Sequence, residues 1–184
     1  MARVIFAAFV MCFSAAVHAT VLVPIEFREL VASAPVIVHG RVVGVRSDWI
    51  ESRRSIETFV TIEASEYLKG DLGERVTIRV PGGQLGRYRT VFVGAPSFQE
   101  GDEVVLFLRT ADQGTPWIVG LSQGAFRVAV EPASGRHIVT SPVLMSSPGA
   151  AAEGVVRGDA RRRPLDIDAF RAAVKQALAP GAAQ

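Results

Sequence analysis

Residues 56–68 read IETFVTIEASEYL, and this stretch decides the fold class. Thr58, Val60, Ile62 and Ala64 fall on one face, with Glu57, Thr61, Glu63 and Ser65 on the other. That two-residue period marks a half-buried β-strand. The same signature extends in both directions. Residues 36–45 (VIVHGRVVGV) are rich in β-branched side chains, with Gly40 and Gly44 where a bulge or close strand crossing would sit. After the turn Lys69-Gly70-Asp71-Leu72-Gly73, residues 75–80 (RVTIRV) alternate again. Residues 104–108 (VVLFL) are apolar on both faces, which predicts a central strand covered from two sides. Further strands are expected over 87–93, 117–121, 125–130 and 137–140, about eight in all with no helix pattern between them.

Short helices flank this β region. Residues 24–34 (PIEFRELVASA) predict one, with Pro24 in its first turn and Phe27, Leu30 and Val31 on one face. Residues 165–179 predict another, capped by Asp166 and striped by Ile167, Phe170, Val174 and Leu178. Between 141 and 164 the chain has prolines and glycines but no aromatic residue, the composition of a linker. The expected fold class is mainly β: an OB-like antiparallel β-barrel over 20–140, with short N-terminal and C-terminal helices.

Residues 1–19 (MARVIFAAFVMCFSAAVHA) have the form of a secretory signal peptide. Arg3 gives the positive start, Val4 to Val17 the apolar stretch, and Ala19 the small residue before cleavage. The stretch is shorter than the ~20 apolar residues of a spanning helix. The expectation is a periplasmic or secreted protein beginning at Thr20, with no transmembrane span after cleavage. Processing would remove Cys12, the sole cysteine, and with it disulfides, thiolate catalysis and cysteine-based metal sites. The 184 residues carry 20 basic and 18 acidic side chains, and eighteen of the basic ones are arginine. That balance gives no polyanion signal, so no nucleic-acid partner is expected.

Few motifs carry chemistry. Gly120-Leu121-Ser122-Gln123-Gly124 matches the G-x-S-x-G nucleophile elbow, but lies between two expected strands and not on a strand-to-helix turn. Only His137 follows it, so a serine hydrolase using Ser122 and His137 is an alternative and not the main reading. His39 and His137 are far apart in sequence and read as core or edge imidazoles. Glu100-Asp102-Glu103 and Asp48/Glu51 lack calcium-loop spacing and read as solvated turns. Neither a catalytic residue, a cofactor nor a metal is predicted, and the chain reads as a non-enzyme. Gly82-Gly83-Gln84, flanked by Arg87, Tyr88 and Arg89, reads either as a permissive turn or as an exposed recognition loop, and Trp49, where a strand gives way to a loop, either as a barrel-rim core residue or as a binding anchor.

Three phrases resemble the netrin-type OB-like module: LVASAPVIVHGRVVGV (30–45), IETFVTIEASEYLKG (56–70) and GDEVVLFL (101–108). The familiar case is the N-terminal domain of the tissue inhibitors of metalloproteinases, and an uncharacterised family of exported bacterial proteins has the same LKG and GD-x-V-x-L-F-L phrases. The resemblance spans roughly residues 27–130 and implies the barrel. It also implies a protein partner, with an extracytoplasmic metalloprotease as one class. The inhibitors present an N-terminal cysteine to the protease zinc, whereas this chain would offer Thr20. The expected function is therefore an exported non-enzymatic binding module, with Thr20, Trp49, Gly83, Gln84, Arg87 and Tyr88 as its partner-binding residues. A further alternative is an oligosaccharide- or oligonucleotide-binding OB domain.

Overall fold

The computed structural model describes residues 24–110, 114–140 and 164–179. The signal segment, Thr20 and nearly all of the expected linker lie outside these residues. The chain is mainly β, as the alternation predicts. In order come α1 (Phe27–Ser33), β1 (Val36–Ile50), β2 (Ser55–Lys69), β3 (Arg75–Pro81), β4 (Gly83–Leu85) and β5 (Tyr88–Thr90). There follow β6 (Glu103–Arg109), β7 (Trp117–Ile118), β8 (Ala125–Val130), β9 (His137–Thr140), β10 (Leu165–Asp166) and α2 (Ile167–Leu178). Eight strands form one sheet in the order β1-β2-β3-β7-β6-β8-β9-β10, and β1 also pairs with β6. All pairs in it are antiparallel except β3 with β7, which meet in parallel at Arg79 and Trp117. β4 and β5 form a separate hairpin.

β1 and β2 are each 15 residues long and paired through most of their length, with register shifts at His39/Gly40 and Val42/Gly44. A methyl group on Gly40 would lie 2.3 Å from the Glu63 carbonyl oxygen, so the strands approach too closely for any side chain there. The two-sided reading of VVLFL holds. Val104, Leu106 and Leu108 join a core with Val38, Val60 and Ile62, while Val105 and Phe107 face a second core beneath the helices.

The second core is aromatic. Phe27, Phe107, Phe126 and Phe170 contact one another with ring centroids 5.2–6.4 Å apart, mostly edge to face. Phe170 and Val174 are fully buried, so α2 docks on the sheet, and Arg171 ties it to β2 by a 2.7 Å bond to Glu66. Asp166 caps α2 as expected, accepting from the Asp168 N–H. The Lys69 ammonium of the LKG turn donates to the Val31 carbonyl and Arg109 to that of Ser33. Two cations thereby satisfy carbonyls that the end of α1 leaves open.

Several boundaries differ from expectation. α1 starts at Phe27, so Pro24 precedes the helix instead of opening it. Gly82-Gly83-Gln84 was expected to lie in a loop or turn, yet Gly83–Leu85 forms β4. The strand expected over 87–93 stops at Thr90, and that expected over 117–121 stops at Ile118.

Candidate hairpin recognition site

The hairpin β4–β5 stands beside the far ends of β1 and β2. The Gly82 N–H donates to the Ile56 carbonyl at 3.1 Å, and the Thr58 hydroxyl donates to the Gly82 carbonyl at 2.8 Å. Gly83 has φ +149°, and a Cβ there would fall 2.5 Å from Thr58 Oγ1 and 2.6 Å from Ser47 Oγ. A side chain at 83 would collide with the strands that seat the hairpin, and this backbone conformation strains any residue but glycine. The two glycines are therefore the attachment point of the loop.

Beyond that attachment the surface is apolar and basic. Leu85 and Tyr88 face each other across the hairpin and are both exposed. Val91, Phe92 and Val93 are 71, 52 and 68 % exposed, and Trp49 at the end of β1 is exposed as well. Five of these six side chains lie within nine residues of sequence, so the exposure is concentrated and not scattered. Between Glu74 and Glu100 the chain carries four arginines and no acidic residue. The Arg87 guanidinium lies over the Tyr88 ring and donates to its hydroxyl at 3.0 Å. Beside the hairpin is a cleft of about 430 Å³, with Gln84, Arg89, Phe92 and Phe98 among its walls. A smaller pocket of about 180 Å³ adjoins it across Pro81 and Pro96, lined by Glu57, Arg53 and Trp117. Glu57 is buried there and paired with Arg53.

Gly83, Gln84, Arg87 and Tyr88 thus come together on one element, with Trp49 near the same end of β1. The sequence reading missed Leu85, Val91, Phe92 and Val93. The run 91–93 is as strand-like in composition as 104–108, and nothing local distinguishes an unpartnered run from a buried one.

Ser122 and His137 are not brought together. Ser122 lies on the 3₁₀ turn Leu121–Gly124, just before β8, and its N–H donates to the Gly94 carbonyl. His137 pairs with Val130 at the other end of β8. Five strand steps, about 16 Å, separate the two ends. No helix follows the serine directly, as an elbow would require.

His137 has a different partner. Its Nδ1 is 3.1 Å from Glu103 Oε1, and His39 Nε2 is 2.8 Å from the same oxygen. Burial pushes the Glu103 carboxyl up, but the hydrogen bonds from His39 and His137, helped by their charge, outweigh it and hold it below the usual carboxylate value. The reading of Glu103 as part of a solvated turn is corrected: it tethers β6 to β1 and β9. Neighbouring Asp102 is also engaged, accepting from the Gln99 N–H and from Arg127. His39 Nδ1 is buried without a hydrogen-bond partner. Among the described residues no group of three or more histidine, cysteine or acidic side chains is arranged to hold a metal ion.

Comparison with family models, with curated proteins and with solved structures finds no match to this chain. Among the described residues no helix is long and apolar enough to cross a membrane.

Proposed function

We propose that this chain is an exported, non-enzymatic binding module that grips another extracytoplasmic protein through the β4–β5 hairpin. The carrying observation is the cluster of exposed Leu85, Tyr88, Val91, Phe92 and Val93, mounted on glycines wedged against Ser47 and Thr58. An apolar surface on a fixed seat suits recognition, because little ordering entropy is lost on binding.

The scaffold in this reading is a closed OB-like barrel. Its support is the pairing cycle β1-β2-β3-β7-β6-β1, in which each of the five strands has two neighbours and only β3 and β7 run parallel. OB-type barrels bind through loops and one face. A metalloprotease is the partner class suggested by the netrin-type resemblance, with Trp49, Gly83, Gln84, Arg87 and Tyr88 as the contact set. Oligosaccharide or oligonucleotide binding is less favoured: Arg46, Arg79 and Arg87 already cover one ring face of Phe59, Trp117 and Tyr88.

The test uses the chain from Thr20 onward. It should turn over neither esters nor peptides, and should retain a protein from the exported fraction that Tyr88→Ala retains poorly. A zinc-protease inhibition assay run alongside examines the partner class. Ester or peptide turnover abolished by Ser122→Ala would overturn the reading.

A further inference from the structure

The β4–β5 ladder ends at the pair Gly83 and Thr90, while the chain continues through Val91 and Phe92 to a turn closed by the Ala95 N–H and the Phe92 carbonyl. Residues 88–93 read YRTVFV, with no glycine, proline or acid, and all but Thr90 are exposed. The composition is that of a strand, yet among the described residues β5 pairs with β4 alone, and no hydrogen bond engages the Val91 main chain. An unpaired edge of this kind is a template for another strand.

We propose that the free edge of β5, continued through Val91, accepts an extended acidic segment of the partner protein as an added strand. This rests on the binding-module reading and specifies how that module binds. Main-chain hydrogen bonds would hold the segment, its apolar side chains would meet Tyr88 and Phe92, and its acidic ones Arg87 and Arg89. Charge selects this occupant. A second copy would bring Arg87 and Arg89 against their own counterparts, and like charges on facing strands repel. A bilayer would attract the arginines but gives the main chain of an edge strand no hydrogen bonds.

The probe is a capped heptapeptide of alternating Glu and Val, titrated against the chain from Thr20 onward, with a Lys/Val peptide and phosphatidylglycerol vesicles as parallel arms. The Glu/Val peptide should bind, more weakly as salt rises, and the other two should not. Val91→Pro removes one main-chain donor and should weaken binding about tenfold. Val91→Asp keeps the donor, adds repulsion, and should weaken binding if the proline variant does not fold. Equal affinity of the Lys/Val peptide, failure of the Glu/Val peptide to bind, undiminished binding by folded Val91→Pro, binding to the vesicles alone, or a dimer dispersed by Val91→Asp would each overturn the proposal. A partner retained equally by wild type and Val91→Pro would remove strand addition and leave the module reading standing. Hydrolysis lost in Ser122→Ala would remove the module reading itself.

Discussion

His137 Nδ1 lies 3.1 Å from the same Glu103 oxygen that His39 reaches from β1, so one carboxylate joins three strands. Glu103 opens β6, His137 opens β9, and His39 sits in the part of β1 that pairs with β6. The link fastens one end of the β8–β9 pair to the body of the sheet.

The first prediction concerns acid stability. Glu103 is held below its ordinary value of 4.5, so folding favours its ionised form. Its contribution is complete above the unfolded value and is lost as pH falls through the lower folded value. Glu103→Gln should cost about 1–2 kcal/mol at neutral pH, and the difference from wild type should shrink below about pH 4.5. Urea unfolding of both proteins across pH 3–7 measures it. A difference independent of pH would mean the carboxylate's charge plays no part.

The aromatic core yields the second. Phe170 is 1 % exposed and touches Phe27, Phe107 and Phe126. Phe170→Ala should destabilise the protein by about 3–5 kcal/mol, read from the denaturation midpoint at unchanged slope. A loss below about 1 kcal/mol would contradict a docked α2.

Lys69 carries a smaller effect. Its ammonium donates to the Val31 carbonyl at 2.9 Å across 38 residues of sequence. Lys69→Met keeps the aliphatic stem and removes the donor, for an expected cost of about 1 kcal/mol by thermal or urea unfolding.

How far these features could be read from sequence depended on whether their cause is local. β2 and β3 were legible because one face is buried and the other wet, which alternation reports directly. β6 was legible through its apolar run, and α2 through Asp166 and its stripe. The apolar stripe of α2 called for docking, but not for the aromatic cluster it docks on, because a helical stripe does not name its partner. The His39–Glu103–His137 link was invisible for a similar reason: it depends on the register between β1, β6 and β9, which set residues 34 and 64 positions apart side by side. The only local hint was a histidine inside the apolar run 36–45. At the candidate site the glycines and Tyr88 stood out by composition. Val91–Val93 did not, since whether a strand-like run finds a partner is decided elsewhere in the chain.

Gly83 supplies the next prediction. Gly83→Val should drive the hairpin from its seat, since a Cβ alone meets Thr58 and Ser47 within 2.6 Å. The circular dichroism and cooperative unfolding of the sheet should remain, while retention of the partner falls by about tenfold or more. Full retention would show that the hairpin's placement is irrelevant to binding.

The most direct test of the account is hydrogen–deuterium exchange of the chain from Thr20 onward, alone and with its captured partner. The account predicts slowed exchange across residues 83–93 and at Trp49. Slowing confined to α1, α2 or the surroundings of His137, with 83–93 unchanged, would contradict it.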